Sequence, residues 1–255
     1  AKLGLDKPLW LQYLSWLQRV GQGDLGQSLV DDRPVARDLA NRLPRTLQLV
    51  IPATLLSTAA GVSLGMFAAR RRGRIADPLA SSTALLGFSM PVFVVGMLLV
   101  AVFSITLGWL PPTGYVPFGE DPVGFLRHLI LPALALSAAP MAITMRMTRS
   151  SFLEQSALDY VRTARAKGLP EPAVAWRHVL RNALLPVVTV VGLQIGGMFA
   201  GAVLVEYIFS WPGLNTLLLN SISTRDYPII QGVVLLAAVL FVFVNLATDL
   251  CYALV

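Results

Sequence analysis

The sequence predicts an all-α, polytopic membrane protein, and three observations carry that prediction. The first is composition. Of 255 residues, 55% are hydrophobic and 13% charged, with a mean hydropathy of +0.67, whereas soluble domains average about 45–50% apolar and about 25% charged residues. The second is a series of apolar runs of spanning length, given that a helix crosses the hydrocarbon core in about 20 residues. The third is the placement of charge. The two loops after the first and third runs carry 11 of the 20 Lys and Arg and the two outer loops between spans only Arg127 and Arg225, while residues 1–45 carry the other seven. Lys and Arg gather in cytoplasmic loops, so the alternation orients the chain with its N-terminus outside and its C-terminus inside.

The same composition excludes several classes. The net charge of +6 is not combined with aromatic stacking residues on a basic surface, so nucleic-acid binding is not expected. A single cysteine, Cys251, rules out an internal disulfide and any multi-cysteine metal site. His128 and His178 stand far apart with no carboxylate-rich motif beside them, so no metal site is expected. The sequence begins in a polar region without Met or a signal peptide and reads as a fragment.

Residues 1–45 read as an extracytoplasmic amphipathic region. Leu9, Tyr13, Trp16, Leu17 and Val20 share one helical face, and Trp10, Tyr13 and Trp16 suit the headgroup level of a bilayer. A glycine-rich loop follows. Residues 46–255 form the transmembrane domain, with spans expected at 46–69, 80–107, 126–147, 183–205 and 228–255. In the first, Gly61-x-x-x-Gly65 suits close helix approach, and Arg70, Arg71, Arg72 and Arg74 mark its cytoplasmic end. Pro91 is expected to kink the second span. Pro132 and Pro140 fall in the third, and Gly192, Gly196, Gly197 and Gly201 keep one face of the fourth smooth. The segment 206–227 is an outer loop, and Asp249 lies near the inner end of the last span.

The longest polar, basic interruption is Ser151–Pro186, containing the cytoplasmic loop 151–182. Its first half is expected to form one amphipathic helix with Leu153, Ala157, Tyr160, Val161 and Ala164 on its apolar face. Ser151 and Glu154 fit a capping box, and Gly168 followed by Pro170 is a stop signal. Its charges forbid a membrane span, so it lies outside the bilayer, tied at both ends to apolar helices.

No nucleophile–base constellation, phosphate-binding loop or pair of intramembrane carboxylates is present. Glu206 and Asp249 come nearest, both at span ends, where they read as interfacial. Ion-coupled carriers need ionisable groups inside the membrane. The energy source is therefore expected in a partner, and the chain itself is not expected to be an enzyme.

The central stretch, Tyr160-Val-Arg-Thr-Ala-Arg-Ala-Lys-Gly168-Leu169 with Arg177-His178 and Arg181-Asn182-Ala-Leu-Leu-Pro186, resembles the ATPase-contacting loop of bacterial ABC importer permeases, in the dipeptide/oligopeptide/nickel branch. LGLDKPL (3–9), GDLGQS (23–28), RLPRTL (42–47), EYIFSWPGL (206–214) and RDYPIIQG (225–232) match in the expected order, so the resemblance covers nearly the whole chain. Arg162-Thr163-Ala164 stand where the general importer pattern has Glu-Ala-Ala, the spacing to Leu185-Pro186 is longer, and Asn215 replaces a frequent Gly. The family's first span is missing here.

The resemblance implies a type I ABC importer-like permease moving di- or oligopeptides across the bacterial inner membrane by alternating access. Its partners would be a second related permease, two ATPase subunits that bind ATP and Mg, and an extracytoplasmic solute-binding protein. Ala157, Tyr160, Val161, Arg162, Thr163, Ala164, Arg165, Lys167, Gly168 and Leu169 would be the coupling element, with Val161, Ala164, Arg162 and Arg165 touching the ATPase. Trp211, Pro212, Gly213 and Leu214 would take part in docking the binding protein. Gln194 and Met198 are candidates for the translocation path. Nickel, glutathione or another small solute is the alternative cargo, and an ATPase-independent secondary transporter the alternative class.

Overall fold

The structure is a computed structural model that describes residues 8–71, 73 and 89–253. These residues form helices and loops, with one antiparallel bridge between Gln27 and Pro34. The helices are α1 (Leu9–Gly21), α2 (Val35–Arg70), α3 (Val92–Thr106), α4 (Pro122–Ser156), α5 (Asp159–Ala166), α6 (Glu171–Ile208), α7 (Leu214–Ser223) and α8 (Tyr227–Ala253). Of these, α2, α4, α6 and α8 are long and apolar enough to cross a membrane. The stretch 80–88 of the second expected span lies outside the described residues; its remainder forms α3, α-helical over Val92–Leu99 and π-helical over Val100–Thr106.

The long helices outrun the apolar runs that announced them. α2 starts at Val35, eleven residues before the expected span at 46, because 35–45 (VARDLANRLPR) contains Leu39 and Leu43 at helical spacing and Pro44 falls inside the helix. At the start of α4, the Val123 N–H donates to the Asp121 carboxylate and Pro122 occupies the first turn, where its missing N–H costs nothing.

The chain divides into two compact units, residues 1–46 with 212–239 and residues 47–211 with 240–255. In the first, Val35, Leu39, Leu214, Leu217, Ile229 and Val233 form a small core. A Cβ on Gly232 would lie 2.6 Å from Val35, so glycine there lets α8 close on the start of α2. Asp226 is buried and accepts from the Ser28 hydroxyl and, at 3.1 Å, from the Leu29 N–H. At the exposed turn before α2, hydrogen bonds first from Arg33 and then from Ser28 hold the Asp31 carboxyl down at about 2.

The second unit contains the main core, built by Leu49, Val50 and Ala53 of α2, Phe125 to Leu136 of α4, and Met198, Ala202 and Val205 of α6, with Phe209 and Trp211. The Gly61/Gly65 pair does what its spacing promised. A Cβ on Gly61 would sit 2.7 Å from Thr144, and one on Gly65 would sit 2.5 Å from the Met145 carbonyl and 2.7 Å from Thr148. The two helices thus touch backbone to side chain, the contact that small residues permit where no hydrophobic driving force separates protein from lipid. On α6, Gly196 closes on Phe241 and Gly192 on Thr248, while Gly197 borders open space. Gly65→Val is therefore expected to lower the melting temperature of the detergent-solubilised protein by several degrees, an overpacking cost of about 1–3 kcal/mol, with Gly197→Ala as the control that leaves it unchanged. Equal melting temperatures for Gly65→Val and wild type would contradict the close-approach assignment.

Candidate functional site

The expected single helix over the first half of the 151–182 loop is in fact two pieces. Nothing between Met147 and Ser156 stops a helix, so α4 continues through Ser151 and Glu154, which sit inside it rather than capping a new one. The chain breaks at Ala157–Leu158. The N–H groups of Ala157 and Leu158 return to the carbonyls of Glu154 and Gln155, and Leu158 is extended. Helix α5 then starts at Asp159, whose negative charge suits a helix N-terminus. It ends at Ala166, and Gly168 takes the left-handed conformation, φ +78°. A Cβ on Gly168 would meet nothing, so only the backbone requires glycine there.

The break also resets the apolar face. Val161 is 0% exposed and Ala164 is buried, in a cluster with Met66 and Ala69 of α2, Phe152 of α4, and Val174, Val179 and Leu180 of α6. Ala157 and Tyr160, expected on that same face, are exposed. In this conformation Val161 and Ala164, expected to touch the ATPase, fasten α5 to its own chain. Arg162, Thr163, Arg165, Lys167, Gly168 and Leu169 all face outward.

Polar contacts secure the same helix. The Tyr160 hydroxyl donates to Gln155 Oε1 at 2.9 Å and accepts from Asn182 Nδ2 at 3.0 Å, and that amide also reaches the His178 carbonyl at 3.0 Å. One phenol thus ties α5 both to the end of α4 and to the lower part of α6. Arg162 pairs with Asp159 at 3.2 Å, and Arg165 Nε with Glu171 at 2.8 Å. These pairs are exposed and contribute about 0–1 kcal/mol each. Their main effect is to hold two guanidinium groups in place on an outward surface.

The sequence reading passed over Trp176. It lies on the π-helical stretch Val174–Leu180 and is 56% exposed, while Val174, Ala175, Val179 and Leu180 are buried. The signal was present as apolar pairs four to five residues apart with Trp176 and Arg177 between them.

At the other candidate positions, Trp211 is 0% exposed, Gly213 and Leu214 are buried and Pro212 is half-buried. The Trp211 ring stands edge-on to Tyr115 at 4.8 Å between centroids, and the Trp211 backbone N–H donates to the Glu206 backbone carbonyl at 2.8 Å. The Leu214 N–H donates to Thr46 Oγ1 at 2.8 Å, and Arg42 donates to the Pro212 carbonyl at 3.0 Å. Trp211, Gly213 and Leu214 are thus packing positions, and Pro212 keeps part of its surface. Glu206, expected at the interface, is 0% exposed. Gln194 and Met198 both line one cavity of the second unit. Met198 is buried, with Thr54 Oγ1 at 3.1 Å from its sulfur, and Gln194 Oε1 accepts from Thr144 Oγ1 at 3.3 Å. Among the described residues no group of three or more His, Cys, Asp or Glu could hold a metal ion.

Comparison with known proteins assigns this architecture. The Dipeptide transport system permease protein DppB of Escherichia coli K12 is 45% identical over 100% of this chain and 82% of its own length. The Glutathione transport system permease protein GsiC of Escherichia coli O6:H1 is 45% identical over 99% of this chain and 80% of its own length. Among solved structures, the MetNI methionine ABC transporter superposes with a TM-score of 0.69 at 15% identity, covering 84% of this chain and 94% of the other. An amino acid ABC transporter does so with a TM-score of 0.60 at 15% identity, covering 94% and 98%. The fold is thus that of ABC importer transmembrane subunits, as the sequence led one to expect. Residues 61–255 match the profile of a single family, and the chain belongs to it: the binding-protein-dependent transport system inner membrane components.

Proposed function

We propose that this chain is the permease subunit of an ATP-driven peptide importer, working with a second related permease, two ATPase subunits and an external solute-binding protein. The observation that carries the reading is the 45% identity to a dipeptide permease over the whole of this chain. Glutathione uptake is a second reading favoured by the equal identity to a glutathione permease; both cargoes contain peptide bonds. Ion-driven secondary transport has no comparable support.

In this reading the 151–182 loop faces the cytoplasm and residues 1–45 the outside, as the Lys/Arg distribution argues. The outward side of α5, with Arg162, Thr163, Arg165 and Lys167, meets the ATPase. Its inward side, Val161 and Ala164, is embedded among α2, α4 and α6. ATP-driven approach of the two ATPases would push on α5, and the push would pass into those three helices because none of them can move without breaking the cluster beneath it. Alternating access then follows from contacts that differ between two states. Trp211 to Leu214 would serve binding-protein docking indirectly, by fixing the outer turns around them.

The experiment is reconstitution of the full transporter with labelled Ala-Ala and labelled glutathione as competing cargoes. Import of either, dependent on ATP and binding protein, is the expected result; import of neither alongside import of a non-peptide solute would overturn the reading. Within that system, Gly168→Val forces a β-branched residue into a left-handed turn without any steric contact. It is expected to cut binding-protein-stimulated ATP hydrolysis about tenfold and to weaken ATPase co-purification. Tyr160→Phe keeps the ring and removes the hydroxyl bridge, at about 1 kcal/mol per hydrogen bond. It is expected to lower stimulated hydrolysis several-fold with the assembly intact. Unchanged coupling in both variants would reduce this loop to a passive linker.

A further inference from the structure

A trough of about 850 Å³ lies between α1 and the first half of α8, within the first compact unit. One wall is α1, where Tyr13 and Trp16 stack at 6.2 Å between ring centroids. The other is the α8 face of Ile230, Val234, Leu235 and Ala238, and Val234 is 56% exposed. None of the residues of α1 is buried, and Leu9, Trp10, Leu14 and Leu17 all show much of their surface. A 13-residue helix is marginal in water, so this apolar surface calls for cover. α8 is long and apolar enough to cross a membrane, and the aromatic residues of α1 suit the headgroup level beside it.

The trough changes character at one end. Trp16, Arg19, Pro228 and Gln231 line it and also line a second cavity, of about 320 Å³, whose further walls carry Asp24, Gln27, Ser28 and Asp32. The Asp24 N–H donates to the Arg19 carbonyl at 2.9 Å, yet among the described residues the Arg19 guanidinium forms no ion pair. One carboxylate oxygen of Asp24 accepts from the Gly26 N–H at 2.9 Å. The order along the groove is therefore apolar, then positive, then negative.

That order selects the occupant. An acyl chain suits the apolar walls, and a phosphate suits the guanidinium. Two carboxylates past the arginine repel a purely anionic headgroup and attract an ammonium group a short linker beyond the phosphate. An apolar protein segment would fill the trough but would leave the charges at its end unmatched. The bilayer around an inner membrane component supplies the amphiphile directly.

We propose that this groove binds one phospholipid with an ammonium-bearing headgroup, of the phosphatidylethanolamine class. Its acyl chain lies between α1 and α8, Arg19 donates to its phosphate, and Asp24 and Asp32 accept from its ammonium. The lipid covers the apolar side of α1 and seats that helix against α8. The site goes beyond the peptide-importer reading and depends only on α8 lying in the membrane.

The test uses the complete transporter in detergent, read by native mass spectrometry against dioleoyl phosphatidylethanolamine and dioleoyl phosphatidylglycerol, which lacks the ammonium. The wild type is expected to hold phosphatidylethanolamine about tenfold more tightly, the value of one hydrogen bond to a charged group. Arg19→Gln is expected to weaken both lipids about tenfold, and Asp24→Asn to remove most of the preference without weakening phosphatidylglycerol. Both positions are exposed, so neither variant threatens the fold. A second measurement locates the lipid. Phosphatidylethanolamine with a diazirine in its acyl chain, in vesicles holding the transporter, is expected to cross-link residues 12–19 and 227–238, several-fold less so in Val234→Trp, which fills the trough. Retention unchanged in Arg19→Gln and Asp24→Asn, with cross-links spread evenly over α2, α4, α6 and α8, would overturn the site by reducing the lipid to a general coat. A photoreactive residue in place of Tyr13 that captures polypeptide instead of lipid would overturn it as well. No cargo takes part in these measurements, so their failure leaves the peptide reading standing.

Discussion

The burial of Val161 and Ala164 is the interaction on which the mechanical account depends. An eight-residue helix carrying Asp159, Arg162 and Arg165 has no stability of its own in water, since isolated helices shorter than about 12–15 residues are marginal. It persists because two small apolar side chains drop into a pocket formed by α2, α4 and α6. That packing makes α5 part of the helical bundle rather than a flexible loop. Tyr160 reinforces it with directional bonds that name particular partners, Gln155 and Asn182, on the two flanking helices. A force on the charged outer side of α5 is thereby a force on three long helices at once.

In the proposed mechanism the transmembrane part receives such a force without deforming. Gly61 and Gly65 bring α2 against α4 so closely that a methyl group has no room, and Gly192 and Gly196 do the same for α6 against the last helix. Close-packed interfaces shift as units because they are not continuously deformable. Gly197 is the counterexample that makes the pattern informative. It belongs to the same glycine-rich stretch, yet it faces open space beside the cavity lined by Gln194 and Met198. One helix therefore uses its glycines in two ways, for contact on one side and for clearance on another.

Much of this was legible in the sequence. The apolar runs and the charge alternation located the long helices, and the Gly61/Gly65 spacing located a close contact. What escaped did so for physical reasons. The break at Ala157–Leu158 has no Gly or Pro to announce it; it exists because Val161 and Ala164 bury better after a change of axis than along a continuation of α4. Single-period reasoning therefore placed Ala157 and Tyr160 on a face they do not share. The burial of Trp211 and Glu206 was not legible because a loop between spans is usually wet, but here Tyr115 and Phe125 pack on Trp211. The cavity between α3, α4 and α6 was invisible in the sequence, since Gln194 and Pro140 are brought together only by the packing of α4 on α6.

The most direct test of this account is a cysteine-by-cysteine cross-linking scan of residues 157–169 in the complete transporter, in a Cys251→Ser background, read as the yield of cross-links to the ATPase subunit. High yields at Arg162, Thr163 and Arg165 with little or none at Val161 and Ala164 would agree with a coupling helix anchored inward and loaded outward. Equal or higher yields at Val161 and Ala164 would contradict it, because the side chains assigned to fastening the helix would then be the ones that face the motor.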